Sequence, residues 1–177
     1  VGAVLLKPLS RAIADGDHIY AIIRGSSVNH GGKTSGFTVP NPKRQAALVQ
    51  EALQTAGVDP RHISYVEAHG TGTSLGDPIE IAGLTKAYGQ AGKQYCAIGS
   101  VKSNIGHLEA AAGIAALTKV LLQLQHRTLV PSIHSATLNP YIDFANSPFV
   151  VQRSLGEWRR PQLPQDDGAV AVELPRL

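Results

Sequence analysis

VEAHGTGTSLGDPIE at residues 66–80 and GSVKSNIGHLEAAAG at residues 99–113 are the two stretches that decide the fold. Each stretch joins a predicted strand to a predicted helix, residues 63–68 to 78–88 in the first and residues 95–101 to 108–125 in the second. The strands are apolar and short, and the helices begin after glycine-rich polar turns. Because strands alternate with helices, the sequence favours an α/β layered fold.

Each of the two stretches places a histidine, His69 or His107, between the strand and the helix. Ligands of open α/β sheets gather at the carboxyl ends of the strands, so neighbouring strands would bring the two imidazoles to one cavity. Imidazoles donate hydrogen bonds to carbonyl oxygens and titrate near neutral pH. A pair aimed at a developing oxyanion could contribute about 3 kcal/mol each. A histidine in a turn can equally be a cap or a satisfied core residue.

Four side chains near the histidines complete the candidate site. Thr71 and Thr73 offer small hydroxyls to an amide-bearing chain that lies along the glycine-rich turn. Lys102 and Glu109 are predicted to form a buried ion pair that fixes His107.

The rest of the chain continues the alternation. Two more strands and two more helices are predicted, at residues 1–6, 19–24, 8–14 and 44–56. A polar loop is predicted over residues 25–42, and loop-like structure is expected from Leu129 onward. The helix over 108–125 is apolar nearly all round from Ala110 to Leu124, which predicts a buried central helix.

Composition excludes several classes of protein. Apolar residues make up 43% and charged residues 16%, which indicates a globular chain. The net charge is +3 without a dense run of Lys or Arg, so nucleic-acid binding is not expected, although an acidic protein partner would be attracted. The single cysteine, Cys96, excludes a disulfide framework and favours the cytoplasm. No signal peptide is found, and no apolar run approaches the ~20 residues that span a bilayer.

Metal and nucleotide sites are not indicated either. Cys96, His69 and His107 lack the close pairing of zinc ligands. The sequence Gly32-Lys33-Thr34 resembles the end of a phosphate-binding loop, but Ser27 stands where that motif needs glycine. Leu75 likewise replaces the third glycine of a dinucleotide-binding turn.

Two motifs in this sequence resemble the two histidine motifs of β-ketoacyl synthases, and most of all those of modular polyketide synthases. They are EAHGTGT at residues 67–73 and KSNIGH at residues 102–107. Three further segments are also similar to the family, namely NHGGKTSG at residues 29–36, PN at 40–41 and DPIE at 77–80. The likeness covers residues 1–164, which we treat as a β-ketoacyl synthase C-terminal domain. It implies the C-terminal half of a thiolase-like layered fold, with a mixed sheet around a buried central helix, incomplete without the N-terminal half.

The resemblance implies a decarboxylative Claisen condensation in polyketide or fatty-acid biosynthesis. A malonyl or methylmalonyl unit, carried on the phosphopantetheine arm of acyl carrier protein, loses CO₂, and the enolate attacks an acyl thioester held on a cysteine. His69 and His107 would stabilise the enolate, and Lys102 would order the site, with Glu109 and Asn104 in support. Thr71 and Thr73 would contact the pantetheine arm. No resident cofactor or metal is implied, and the complete enzyme would be a dimer.

The sequence departs from the family in two places. No cysteine matches the family's nucleophile, because Cys96 lies in an apolar strand, so the chain alone is expected to be inactive and to need the N-terminal half. QDDGAVAVELPRL at residues 165–177 is an atypical tail in place of the family's glycine-rich ending. A non-catalytic docking or scaffold module of a megasynthase therefore remains an alternative, and a degradative thiolase is a weaker third.

Overall fold

The computed structural model describes residues 1–34, 36 and 40–161. Within them the helices are α1 (Leu9–Ala14), α2 (Pro42–Ala56), α3 (Gly76–Tyr88), α4 (Lys102–Ile105) and α5 (Ala112–His126). The strands are β1 (Tyr65–Glu67), β2 (Cys96–Gly99), β3 (Thr128–Leu129), β4 (Phe149–Val151) and β5 (Gly156–Glu157). Short 3₁₀ turns cover Pro60–His62, Glu109–Ala111 and Phe144–Asn146. The atypical tail predicted over residues 165–177 lies outside the described residues.

Local sequence signals set the ends of α2. The Asn41 side chain accepts hydrogen bonds from the backbone N–H groups of Lys43 and Arg44, and Pro42 occupies the first turn, where its missing N–H costs nothing. Gly57 ends the helix in the left-handed conformation, with φ of 62°. The helix begins two residues earlier than predicted because the asparagine cap precedes the proline.

Three parallel strands form the central sheet, in the order β1-β2-β4. Val66 lies beside Ile98, and Ile98 lies beside Val151. The carboxyl ends of β1 and β2 therefore meet at one edge of the sheet, as the sequence predicts. Among the described residues, antiparallel pairing is confined to β3 and β5, which form a separate two-stranded sheet. The expected mixture of strand directions is therefore divided between two sheets.

The core lies between this sheet and the α2–α3 pair. Phe149 and Cys96 are fully buried, and the ring of Phe149 meets the ring of Tyr88 edge to face at 5.0 Å. Ala46 on α2 is also buried in this cluster, where its small side chain allows α2 to approach closely. The core thus packs against β2, the middle strand of the sheet, and β2 leads into one of the two histidine stretches.

Two predicted strands do not form. Residues 1–6 and 19–24 contain no strand, and no described strand pairs with them. A strand is stabilised by its ladder hydrogen bonds, so an apolar segment without a neighbour stays irregular. The prediction of loop from Leu129 onward was also wrong in part, because β4 joins the central sheet and β3 pairs with β5.

The helix predicted to be central, α5, is only half-buried in this chain. Leu122 and Leu124 are exposed, and a groove of about 770 Å³ opens along one side of the helix. The buried positions of α5 include the polar residues Lys119 and Gln123. The sheet covers one side of α5, and the described residues provide no second layer for the other. Among the described residues, no helix is long and apolar enough to cross a bilayer.

Candidate active site

His69 follows β1 in a turn that α3 holds in place. The Glu80 carboxylate on α3 accepts hydrogen bonds from the backbone N–H groups of His69, at 2.7 Å, and Gly70, at 2.9 Å. Gly70 has φ of 47°, which glycine adopts without strain. Asp77 similarly accepts a hydrogen bond from the backbone N–H of Gly72. The turn is therefore fixed by two carboxylates that the sequence prediction did not assign.

His107 lies after α4, and its orientation is set by a local hydrogen bond. Its Nδ1 accepts the backbone N–H of Glu109 at 2.9 Å. An accepting Nδ1 carries no proton, so the neutral ring carries its proton on Nε2. His107 therefore presents an Nε2–H donor.

The structure brings the two histidines together, as their positions at adjacent strand ends predict. The ring centroids of His69 and His107 are 5.1 Å apart, and the ring planes meet at 80°. Both side chains are exposed at the edge of the sheet, so a substrate can reach them.

Although His69 is largely exposed, its partial burial lowers the pKa below the ordinary value of 6.5, and the nearby positive charge of Lys102 lowers that pKa further. The carboxylate of Glu80 raises the pKa of His69 but does not offset the first two effects. His69 is therefore neutral at pH 7, and it acts as a hydrogen-bond donor or acceptor rather than as a cation.

The ion pair predicted between Lys102 and Glu109 is absent from the described part of the chain. Glu109 is exposed, with φ of 49°, and its backbone N–H rather than its carboxylate positions His107. Asn104 is exposed as well, and its side chain accepts a hydrogen bond from the Ser103 hydroxyl. The turn after α4 directs residue 109 outward, so proximity in sequence did not become a side-chain contact.

The two threonines lie in the glycine-rich turn, where both are exposed. The hydroxyl of Thr73 accepts the backbone N–H of Gly76 at 2.9 Å, so this side chain helps to shape the start of α3. Thr71 lies on the same turn, directly after Gly70.

A buried ionic network lies beneath the histidines, and the sequence prediction missed it. Lys119 on α5 donates hydrogen bonds to Glu67 and to the Tyr65 hydroxyl, both at 2.8 Å. The Tyr65 hydroxyl donates to the same Glu67 oxygen at 2.6 Å, and the second Glu67 oxygen accepts the backbone N–H of Val101 at 2.6 Å. We call these four groups the Glu67 network.

One sequence signal could have revealed the Glu67 network. Lys119 stands inside an otherwise apolar helix, and its side chain is 8% exposed. A lysine in a buried helix needs an acidic partner, because an unpaired buried ammonium is strongly disfavoured. In the structure that partner is Glu67, whose side chain is 7% exposed.

Small hydroxyls join the two histidine stretches directly. The Ser100 hydroxyl donates to the backbone carbonyl of His69 at 3.3 Å and accepts the backbone N–H of Lys102 at 3.3 Å. The Ser100 backbone N–H donates to the hydroxyl of Ser132 at 3.0 Å. Ser100 thus contacts both stretches and links the two turns.

Cys96 is placed as the sequence predicts, inside the core. It is fully buried, and burial raises the pKa of its thiol to about 12. A thiol that stays protonated and inaccessible is not a nucleophile. The described residues contain no cluster of His, Cys, Asp or Glu that could hold a metal ion.

The family model described as "Beta-ketoacyl synthase, C-terminal domain" matches residues 20–136. Polyketide synthase PksL of Bacillus subtilis is 63% identical over 179 residues, which cover 100% of this chain and 4% of PksL. Polyketide synthase ThaG of Burkholderia thailandensis is 63% identical over 164 residues, covering 91% of this chain and 3% of ThaG. The chain therefore spans a small fraction of the length of the curated relatives that it matches.

Solved ketosynthase structures are similar as well. The ketosynthase from module 6 of the bacillaene synthase of Bacillus subtilis matches with a TM-score of 0.85 and 49% identity. An oxazolomycin ketosynthase domain from Streptomyces albus matches with a TM-score of 0.83 and 54% identity. The first match covers 88% of this chain and 28% of that one, and the second covers 86% and 27%.

Proposed function

The chain belongs to the β-ketoacyl synthase family, whose C-terminal domain it matches, and from this membership we propose that it carries the decarboxylating part of a condensing active site. Its residues would release CO₂ from a malonyl-type thioester and stabilise the resulting enolate. The acyl group would be held on a cysteine of the N-terminal part of the domain, which lies outside this sequence.

The paired histidines are the observation that carries the proposal. His69 is neutral at pH 7, and His107 presents an Nε2–H donor 5.1 Å away, ring centre to ring centre. Two N–H donors at the exposed edge of the sheet can donate hydrogen bonds to a thioester oxygen that gains negative charge as CO₂ leaves. Removing one such donor typically costs about 10²–10³ in rate.

The proposed reaction proceeds in two steps. The bond between the carboxylate carbon and the α-carbon breaks, CO₂ leaves, and the electron pair forms an enolate whose oxygen accepts hydrogen bonds from His69 and His107. The enolate carbon then bonds to the acyl carbonyl carbon, and the cysteine leaves as a thiolate that takes up a proton. Lys102 contributes positive charge, which adds to the larger effect of burial in lowering the pKa of the neighbouring His69.

The remaining parts of the proposal concern the substrate carrier and the assembly. We propose that Thr71 contacts the phosphopantetheine arm of acyl carrier protein, with Thr73 beside it, since both hydroxyls lie on the exposed turn after His69. The net charge of +3 would favour an acidic carrier protein. The same proposal includes Asn104 as a supporting residue and an active site without a resident cofactor. It also includes a dimeric complete enzyme and a cytoplasmic location.

A product assay on a complete ketosynthase that contains this segment tests the proposal. The enzyme is supplied with an acyl thioester and malonyl-acyl carrier protein, and the β-ketoacyl product is measured by mass spectrometry. We expect H69A and H107A each to lower product formation by about 10²–10³. H18A is the matched control, because His18 is also exposed and also meets an aromatic ring, Tyr20, edge to face.

The outcomes of this product assay distinguish an enzyme from a docking module. Unchanged product formation in both H69A and H107A would exclude the proposed role of the pair. If the complete protein forms no product at all but still binds acyl carrier protein, the docking or scaffold alternative is favoured. Loss in H18A as large as in H107A would show that histidine removal acts through folding.

A further inference from the structure

We infer that Glu67 is a positioning residue, which sets the second histidine stretch through the backbone N–H of Val101. This inference rests on the proposed function and deepens it. Glu67 is the last residue of β1, two residues before His69, and its carboxylate accepts the backbone N–H of Val101 in the other stretch. One side chain therefore connects both halves of the candidate site.

The Glu67 network holds this carboxylate with three hydrogen bonds. One oxygen accepts Lys119 Nζ at 2.8 Å and the Tyr65 hydroxyl at 2.6 Å, and the other accepts the Val101 N–H at 2.6 Å. Lys119 also donates a hydrogen bond to the Tyr65 hydroxyl at 2.8 Å, so Glu67, Tyr65 and Lys119 all contact one another. A carboxylate held by three donors has one orientation, so the position of Val101 is determined by groups on β1 and α5.

A displacement of Val101 would be transmitted along the chain to His107. Val101 precedes α4, which is four residues long and ends at Ile105. His107 follows two residues later, and Lys102 is the first residue of the helix. A short helix moves as a unit, so a shift at Val101 changes the separation of His107 from His69. A misplacement of about 1 Å at a reacting centre can cost about 10²-fold in rate.

A buried ion pair can also be an ordinary packing feature. Replacing both partners by apolar residues is often neutral for stability, whereas removing one leaves an uncompensated charge. The positioning role therefore needs a pair of variants that both lack the two charges and that differ in whether residue 67 offers an acceptor to the Val101 N–H. The Glu67 network offers such variants.

The double variant E67Q/K119M removes both charges but keeps an oxygen that can accept the Val101 N–H. The double variant E67L/K119M also removes both charges but leaves that N–H without its acceptor. In a complete ketosynthase we measure kcat and KM for CO₂ release from malonyl-acyl carrier protein. Acylation of the nucleophilic cysteine and thermal unfolding are measured on the same samples.

We expect E67L/K119M to lower kcat for CO₂ release by about 10- to 100-fold, with KM and cysteine acylation nearly unchanged. E67Q/K119M should restore most of the rate. V101P provides a second route if E67L/K119M fails to fold, because proline has no backbone N–H and places its Cδ where that N–H met the Glu67 carboxylate. Val101 has φ of −61°, which proline adopts, so V101P should reproduce the loss of kcat.

Three results would overturn the inference: full activity in E67L/K119M, full activity in V101P, or an equal loss in E67Q/K119M despite normal unfolding. R159M is the control for charge removal, since Arg159 pairs with Glu157 on the surface. H69A and H107A are measured alongside. If these two keep the parental rate, the proposed function fails; if they lose it while E67L/K119M does not, only the positioning role fails.

Discussion

Gly70 offers a sharp test of how the two histidine turns are held together. Its φ of 47° is left-handed, and a Cβ at this position would lie 2.8 Å from the Cβ of Ser100 and 3.1 Å from its hydroxyl oxygen. The Ser100 hydroxyl donates to the backbone carbonyl of His69. A methyl group at residue 70 would therefore push against the residue that joins the turns.

The expected effect of G70A has two parts. Left-handed backbone costs a non-glycine residue about 1–2 kcal/mol. Carbon atoms in contact prefer about 3.5–4.0 Å, so Ser100 must move by roughly 1 Å. Overpacking of this kind costs about 1–3 kcal/mol. We therefore expect G70A to lose about 2–5 kcal/mol of unfolding free energy, and about 10- to 100-fold in CO₂ release because His69 moves relative to His107.

G57A is the matched control for this experiment. Gly57 has φ of 62°, but no atom lies within 4 Å of a Cβ built there, and it ends α2 away from the histidines. We expect G57A to lose about 1–2 kcal/mol with its activity retained. Denaturant unfolding and CO₂ release are measured on both variants of a complete ketosynthase. Equal losses of stability and activity in G70A and G57A would refute the account of the Ser100 contact.

Three further predictions follow from the side-chain environments. K102M should raise the pKa of His69 toward 6.5, because a neighbouring positive charge is removed, and histidine NMR titration should show it. Since the neutral ring is the proposed donor, the acidic limb of the pH–rate profile should move to higher pH; a downward shift would contradict the assignment. Cys96 should resist iodoacetamide in the folded protein and react after unfolding, as peptide mass spectrometry can check; labelling in the native state would be inconsistent with its pKa of about 12. The 177-residue chain alone should self-associate in sedimentation, because Leu5 and Val28 are 95% and 93% exposed; a monomer that unfolds cooperatively would disprove this.

The sequence predicted the elements whose signals are local. The Asn41 cap and Gly57 define α2, and the polar turn before Pro78 defines the start of α3. The strand ends at Glu67 and Gly99 then place His69 and His107 side by side. The thiolase-like fold and the position of the chain in the C-terminal part of a ketosynthase are confirmed by the solved structures.

Features that depend on distant partners were not predictable from local pattern. Residues 1–6 have the composition of a strand, but a ladder requires a neighbour, and the described residues provide none. The short strand at Phe149 lies in a proline-rich region whose local signals indicate loop, and it forms because β2 offers an edge. Pairing geometry, rather than propensity, decided both cases.

The charged residues show the same limit. Lys102 and Glu109 are close in sequence and have opposite charges, yet the turn between them points Glu109 to solvent. Lys119 and Glu67 are 52 residues apart and form the buried pair, because β1 and α5 pack together. The position of Lys119 in an apolar helix implies an acidic partner, but only the fold shows that this partner is Glu67.

We propose that this chain supplies the decarboxylating groups and that another part of the domain supplies the nucleophile. The most direct measurement is CO₂ release from malonyl-acyl carrier protein by a complete ketosynthase whose nucleophilic cysteine has been replaced. We predict that CO₂ release continues in this variant and falls to the uncatalysed background when H69A and H107A are added. Continued release in the presence of H69A and H107A would contradict the claim.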